Sequence, residues 1–206
     1  MKQFFSIGAI IVSLIIVTLE SCAQKTSLVL TKEGVGCLKF GMKFDKIPPA
    51  CEGFYDRIER KIQGVEGGDA EFLYFYLGNV LVAETNRGWG ETGVEYDHSE
   101  DVLYEMTIYS SNISTPEGVY PKMPIKKLLM FEGVEGYSRS DFDWTYSLGL
   151  SGYMIYYDET DLTDLGKKIM NDEEGPKNDY KVELKNSYFK PNAKVGSISV
   201  YAASGQ

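Results

Sequence analysis

The sequence predicts an α+β fold made of two tandem similar halves, each an antiparallel sheet with a short helix packed on one face. The first observation is the motif Gly-Met-Lys-Phe-Asp-Lys-Ile at 41–47, which returns as Lys-Met-Pro-Ile-Lys-Lys-Leu at 122–128, 81 positions later (122 minus 41). The second is a Glu-Gly-Val triplet just upstream of each copy, at 33–35 and 117–119. Together they indicate a tandem duplication.

Two further segments extend the match. At the offset of 81, the aromatic run 72–76 falls on the apolar run 153–157. At an offset of 92, the strand-like segment 106–109 matches 198–201, which requires an insertion of 11 residues (92 minus 81) in the second copy. Chance similarity among apolar strands is the alternative interpretation. Two copies predict a pseudo-symmetric domain, because a solenoid needs three or more units.

Length and composition limit the class of protein. The chain has 206 residues, of which 43% are hydrophobic, enough for one packed domain or two small ones. Its net charge is −9, and the predicted leader contributes nothing to that sum because Lys2 balances Glu20. An acidic surface repels phosphate backbones, so we expect no nucleic-acid partner. It also disfavours adsorption to an anionic membrane by electrostatics alone.

Residues 1–21 are typical of a secretory signal. Lys2 precedes a predominantly apolar run over 4–19, which is short for a membrane-spanning helix. The tetrapeptide Leu19-Glu20-Ser21-Cys22 resembles a bacterial lipobox. That resemblance implies cleavage before Cys22 and acylation of Cys22, with lipid chains such as palmitate anchoring the protein. An uncleaved signal anchor is the alternative.

The segment after Cys22 indicates where the anchored protein lies. Ala23 is not an inner-membrane retention signal by the enterobacterial sorting rule, and no acidic run of the surface-display kind follows. We therefore expect a protein on the outer membrane that faces the periplasm. The predicted organisation is a tether over 22–32, a first αβ repeat over 33–113 and a second over 114–206.

Each repeat is expected to contain a strand, a tight turn and a short helix. A first strand is predicted at 28–30, and a helical turn after Met42 is expected to end at Pro48-Pro49. Gly78-Asn79 predicts a hairpin between strands 71–77 and 80–83, followed by a polar loop from 86 to 101. In the second copy, a capping Thr160 predicts an inserted helix with Leu162, Leu165 and Ile169 on one face.

The cysteines and methionines have simple interpretations. Cys37 and Cys51 are a candidate disulfide, because the periplasm is oxidising. Neither has a ligand at the short spacing that a metal site uses, so no metal is expected. Met42 and Met123 are interpreted as core-filling residues.

Catalytic patterns are sparse. His98 is the one histidine, and the polar segment 95–101 around it is interpreted as a solvated loop. The sequence has no nucleophile elbow, zinc-protease motif or phosphate-binding glycine loop.

Carboxylates are the remaining candidates for chemistry. The pairs Asp141/Asp143 and Asp158/Asp161 are weak candidates for glycoside hydrolysis. The acidic segment 158–161 lacks the glycine of an EF-hand loop, so no calcium site is expected. We expect no cofactor.

A lipobox followed by Gly-Met-x-φ-x-x-φ resembles the outer-membrane assembly lipoproteins of the SmpA/OmlA type and the β-lactamase-inhibitor-like fold. Matching residues are Gly41, Met42, Phe44 and Ile47, then Met123, Ile125 and Leu128; Lys122 departs from the motif. The overall pattern is similar to a lipoprotein of a Bacteroidetes-like bacterium. In those families a short helical hairpin packs on an antiparallel sheet, so the resemblance implies binding or scaffolding and no reaction.

The sequence therefore predicts a membrane-anchored envelope lipoprotein that binds a protein or an envelope polymer. Trp89 and Trp144 are the predicted contact residues, because aromatic anchors dominate interfaces; each can alternatively fill the edge of the core. A carboxylate-dependent hydrolase acting on peptidoglycan or glycan is the first alternative. A ligand-carrying lipoprotein with a sizeable apolar cavity is the second.

Overall fold

The computed structural model describes residues 28–65, 68–90, 101–137, 146–170 and 181–202. The fold is α+β and consists mostly of strands, as predicted. The strands are β1 Leu28–Val29, β2 Gly34–Val35, β3 Leu38–Lys39, β4 Arg57–Val65, β5 Gly68–Leu77, β6 Val80–Gly90, β7 Glu105–Ile108, β8 Ile113–Ser114, β9 Glu135–Tyr137, β10 Tyr146–Leu150, β11 Tyr153–Tyr157, β12 Lys181–Val182 and β13 Ser197–Tyr201.

The helices are short. They are α1 Ile47–Ala50, α2 Ile125–Leu128 and α3 Asp164–Met170, with single 3₁₀ turns at Phe44–Lys46, Glu159–Asp161 and Asn186–Tyr188. None of the helices in the described segments has the length and hydropathy needed to cross a bilayer.

One sheet of nine strands dominates the described part of the chain, in the order β12-β9-β10-β11-β13-β7-β6-β5-β4. Every neighbouring pair in it is antiparallel. The middle pair joins distant parts of the chain, because β7 lies beside β13. At this seam Thr107 is directly opposite Ser199, the residue that the offset of 92 pairs with it.

The repeated motif has the same backbone geometry in both places. In each copy the chain bridges to a segment that precedes a central strand, Lys43 to Val102 and Pro124 to Lys194. Three backbone hydrogen bonds of the first copy have a match in the second. Gly41 N donates to Leu103 O (2.9 Å), as Lys122 N does to Val195 O (2.7 Å), and Leu103 N donates to Met42 O (2.8 Å), as Val195 N does to Met123 O (2.9 Å). Phe44 N donates to Asp101 O (2.9 Å), as Ile125 N does to Ala193 O (3.0 Å). Gly41 and Lys122 both have positive φ, 78° and 71°.

The predicted match of 72–76 with 153–157 is wrong. β11 is hydrogen-bonded to β13, whereas β5 is separated from β7 by β6. The burial also alternates in opposite phase. Leu73 and Phe75 are buried, but their partners at the offset of 81, Met154 and Tyr156, are half-buried. Because β5 and β11 are both densely aromatic, their sequences resemble each other although the two strands lie at different places in the sheet.

One face of the sheet is covered. Phe44 and Ile47 of the first motif and Ile125 and Leu128 of the second are fully buried, in one hydrophobic cluster with alternate residues of the central strands. The opposite side of the sheet carries partly exposed side chains. We call it the open face; it consists of the outward positions of β4–β7, β9–β11 and β13.

Three local predictions need correction. The predicted tether over 22–32 already contains folded chain, because β1 pairs with β8 and Leu30 is fully buried. Pro48-Pro49 lies inside α1 rather than ending a helix, since first-turn residues need no amide hydrogen. The first five residues of the predicted loop 86–101 belong to β6, which continues to Gly90.

The inserted helix begins at Asp164 and not at Thr160. The backbone of Leu162 is extended, and Leu162 bridges Phe189, which separates the 3₁₀ turn from α3. Thr163 then caps α3, its hydroxyl accepting the amide hydrogen of Gly166 at 3.1 Å. The expected apolar face is also different, because Leu165 is 51% exposed whereas Gly166 and Met170 are buried.

Candidate functional site

The middle of the open face contains two carboxylates. Glu84 of β6 lies opposite Thr107 of β7, and Glu105 lies two residues earlier on β7, opposite Tyr201 of β13. Residues two apart on a strand point to the same face. Glu84 and Glu105 are therefore diagonal neighbours across β6 and β7, and Tyr201 extends the cluster across the seam.

The floor between these side chains is made of small hydroxyl residues. Thr107 and Ser199 point to the open face, yet they are only 9% and 1% exposed. Their hydroxyls are hydrogen-bonded to each other at 2.5 Å. Their low exposure means that neighbouring side chains cover both hydroxyls on this face.

Tyrosine and asparagine side chains hold the carboxylates. The Tyr109 hydroxyl donates to Glu84, and the Tyr201 hydroxyl donates to Glu105. Asn86 Nδ2 donates to Glu105 Oε2 at 3.3 Å. Burial, with the nearby carboxylates, raises the pKa of Tyr109 and of Tyr201. Both tyrosines thus remain neutral hydrogen-bond donors at physiological pH.

The carboxyl group of Glu84 is electrostatically unusual. Burial raises its pKa above the ordinary value, Glu105 adds to the rise, and the hydrogen bond from Tyr109 opposes it. Within the described segments, no Lys or Arg forms an ion pair with Glu84 or Glu105. Among the described residues, the acidic pair at the centre of the open face therefore has no cation that neutralises it.

A groove continues from this cluster along the open face. It has a volume of about 440 Å³ and shares Tyr201 with the carboxylate cluster. Glu135 of β9, Gly149 of β10, and Met154 and Tyr156 of β11 line its length. The groove thus combines aromatic and thioether surface with a further carboxylate. We call the groove together with Glu84, Glu105 and Tyr109 the tyrosine–carboxylate groove.

The β4–β5 side of the open face differs because cations already neutralise it. The rings of Tyr74 and Tyr76 are covered by Lys61 at 5.2 Å and by Arg57 at 4.1 Å. Glu59 lies between these cations, 2.8 Å from Arg57 Nη1 and 3.2 Å from Lys61 Nζ. Chiefly through its bond to Lys61, its pKa is lowered. Among the described residues of this side, no carboxylate is left without a cation.

A second charged cluster lies on the covered side and is structural. Arg87 Nε donates to Glu71 Oε2 at 2.6 Å, and its Nη1 lies 3.2 Å from Asp45 Oδ1. Arg60 contacts the same two carboxylates, at 2.8 and 3.3 Å. Arg87 also lies over the ring of Phe44 at 4.9 Å. The two positive and two negative charges neutralise each other. Because Asp45 belongs to the first motif, its contacts with Arg60 and Arg87 hold that motif against the sheet.

The structure describes some of the predicted site residues, and others lie outside the described residues. Cys37 and Cys51 form a disulfide across 14 positions. Trp89 lies in β6, but its side chain is outside the described residues, as are Cys22, His98, Asp141, Asp143 and Trp144. Asp158 accepts the amide hydrogen of Thr160 at 2.7 Å, a local capping role. Met123 is buried and Met42 packs against the core, as interpreted.

Glu84, Glu105, Tyr109 and Tyr201 were not predicted as site residues from the sequence. A partial signal exists, because Glu105, Thr107 and Tyr109 alternate as polar and amphipathic residues on one face of a strand. What brings them to Tyr201 is the pairing of β7 with β13, which local sequence does not specify. Among the described residues, no group of three or more acidic, His or Cys side chains is arranged to hold a metal ion.

Comparisons with known proteins bear on the fold alone. No family model and no curated protein sequence matches the chain. Among solved structures, the chain is similar to the protein YfeY of Escherichia coli, with a TM-score of 0.50 and 12% identity over 84% of this chain and 99% of that one. At this identity the similarity extends to the arrangement of strands and helices and not to side-chain function.

Proposed function

We propose that this chain is a lipid-anchored protein of the bacterial envelope that binds another protein or a polymer through its open face. The observation that carries the proposal is the tyrosine–carboxylate groove. Its two central carboxylates have no cation partner among the described residues, and aromatic rings surround them. Unneutralised carboxylates framed by tyrosine rings suit a partner that presents ammonium or guanidinium groups.

The anchor is supported by the sequence. A leader over 1–21 followed by Cys22 fits acylation of that cysteine, and the first described strand begins six residues later, at Leu28. We expect growth with labelled palmitate to label the protein, and Cys22→Ala to abolish the label and release the protein from the membrane fraction. Membrane retention of the unlabelled variant would instead favour an uncleaved signal anchor.

The proposal includes two similar halves, 33–113 and 114–206, joined at the seam between β7 and β13. It is supported by the matched hydrogen bonds of the two motifs and by the mirrored strand order, 4-5-6-7 beside 13-11-10-9. In this arrangement the counterpart of β6 is β11. Glu84 and Glu105 then belong to the first half, whereas the residues that line the groove of about 440 Å³ belong to the second half.

Affinity capture tests the binding function. Residues 23–206, which contain every described element, are immobilised and incubated with solubilised envelope from the source organism, and mass spectrometry identifies what is retained. We expect one reproducible partner that is lost with Glu84→Gln plus Glu105→Gln. Glu59→Gln is the matched control, because it removes a neutralised carboxylate from the same face and should leave capture unchanged. Equal loss in the control would contradict a role for the groove.

One observation favours a second candidate, a hydrolase acting on peptidoglycan or glycan. A carboxyl with a raised pKa close to a second carboxyl is the arrangement that acid–base catalysis of glycoside cleavage uses. Glu84 would then donate the proton and Glu105 would act as base or nucleophile. Release of soluble fragments from purified peptidoglycan, abolished by Glu84→Gln, would support this function. Retention of intact polymer without cleavage would exclude it and leave the binding function.

A further inference from the structure

A second surface, on the side of the sheet opposite the open face, is locally basic although the chain is acidic. Residues 118–131 contain three lysines and no acid; Glu117 and Glu132 flank the segment. We call Lys122, Lys126, Lys127, Lys194 and Met130 the lysine patch. All five residues are exposed. In the described part of the chain, none of the four lysines forms an ion pair.

Backbone pairing brings the members of the patch together. Pro124 and Lys194 are opposite each other in an antiparallel bridge, which puts their side chains on the same side. The neighbours on the other side of that bridge, Met123 and Val195, are buried in the core. Lys122 precedes the bridge, and Lys126 follows it in α2. The exposed lysines therefore surround one short, solvent-facing bridge.

Lys122 is held in a conformation that disfavours lysine. Its φ is 71°, in the left-handed region, whereas the matching position in the first motif is Gly41 with a φ of 78°. Glycine adopts this region without steric cost, whereas a residue with a Cβ atom adopts it at a cost in free energy. The fold alone would therefore favour glycine at 122. A functional role for the positive charge would explain why lysine occupies this position.

Apolar surface adjoins the lysines. Met130, directly after α2, is 81% exposed. Beside it lies a groove of about 410 Å³. Half-buried apolar side chains, among them Leu129, Phe131 and Leu184, line its wall next to Met130, and the carboxylates of Glu135 and Glu183 line the rest of it. Lysines around an exposed apolar residue are the arrangement with which peripheral proteins contact a bilayer, the cations meeting headgroups and the apolar residue entering the interface.

We propose that the lysine patch is a docking surface for an anionic phospholipid bilayer. Charge complementarity identifies the occupant, because four exposed lysines without a described ion pair lie along α2 and the bridge before it, and the exposed Met130 follows α2. The net charge of −9 opposes adsorption at long range. The patch acts at contact, since charges farther than about 10 Å are screened at physiological salt. The inference goes beyond the proposed function and does not require acylation; it turns the open face away from the membrane.

Vesicle co-sedimentation of residues 23–206 tests the proposal without the lipid anchor. We expect binding to vesicles of equal phosphatidylcholine and phosphatidylglycerol, no binding to phosphatidylcholine alone, and release by high salt. Lys126→Glu plus Lys127→Glu should weaken binding at least about tenfold, because each lysine near an anionic surface contributes about fivefold. Lys39→Glu plus Lys46→Glu, which changes the net charge equally on exposed residues of the first half, should have a much smaller effect.

Lys122→Gly separates folding from binding. It should keep the melting temperature or raise it by up to about 3 °C, because the left-handed position suits glycine, while weakening binding to the anionic vesicles. Absence of binding to anionic vesicles would overturn the proposal. So would equal loss in both double variants, because net charge alone would then decide adsorption. Binding that Lys122→Gly leaves unchanged would remove Lys122 from the patch.

Discussion

At the scale of single residues, Glu84 connects stability with function. Its raised pKa means that the folded chain binds the carboxyl proton more tightly than the unfolded chain does. The resulting stabilisation is fully present below the ordinary pKa of 4.5 and is lost as the pH rises through the raised folded value. Above that value, the ionised carboxylate is therefore kept at a cost in folding free energy.

Glu84→Gln should consequently stabilise the protein at neutral pH and have little effect below pH 4.5, where the wild-type carboxyl is protonated. The Gln carbonyl can still accept the hydrogen bond from Tyr109, so the packing is preserved. Urea unfolding across this pH range measures the difference. Glu59→Gln should change stability in the opposite sense, because the pKa of Glu59 is lowered. A pH-independent effect of Glu84→Gln would contradict the burial argument.

The buried hydroxyl of Tyr55 allows the cost of an unpaired polar atom to the free energy of unfolding to be measured. Its ring packs against Phe54 and Phe75, but in the described part of the chain its buried hydroxyl has no hydrogen-bond partner. An unsatisfied buried hydroxyl costs about 1–3 kcal/mol, so Tyr55→Phe should stabilise by about 1 kcal/mol in urea unfolding. Tyr153→Phe is the contrasting variant. It removes a buried hydroxyl that donates to Leu30 O at 3.0 Å, and it should destabilise by a similar amount.

At the scale of elements, the disulfide ties the turn between β2 and β3 to the residue that follows α1. Cys51 is fully buried, and its bond to Cys37 closes a separation of 14 residues. A loop of this length predicts a loss of about 3 kcal/mol for Cys37→Ser plus Cys51→Ser. Urea unfolding of the variant and of the wild type with and without reductant measures the loss. Identical curves with and without reductant would contradict a stabilising bond.

Some secondary-structure elements were predicted from the sequence, and others were missed. The motif helices, the hairpin at Gly78-Asn79 and the strand at 71–77 were predictable, because local turn chemistry and side-chain alternation determine them. The start of α3 was missed because Leu162 pairs with Phe189, a contact across 27 positions (189 minus 162). The carboxylate cluster was missed for the same reason, since only the pairing of β7 with β13 brings Glu105 to Tyr201.

At the scale of the whole molecule, long-range pairings join the two predicted repeats. Ile108 is opposite Ile198 at the seam, and Tyr153 of the second segment donates to Leu30 near the start of the chain. The buried residues of both segments belong to one cluster. The predicted boundary at 113/114 therefore does not separate two independent cores.

This continuity predicts a single cooperative unfolding transition for residues 23–206 and failure of either segment to fold alone. In residues 23–113, β7 would become an edge strand and expose Met106 and Ile108, which are fully buried in the intact chain. We expect this fragment to lack a cooperative transition in calorimetry and dispersed amide resonances in NMR. Mixing it with residues 114–206 should restore both, because the seam supplies the missing pairing. A fragment that unfolded cooperatively by itself would show instead that each repeat is a domain, and the seam would then be an interface between two finished folds.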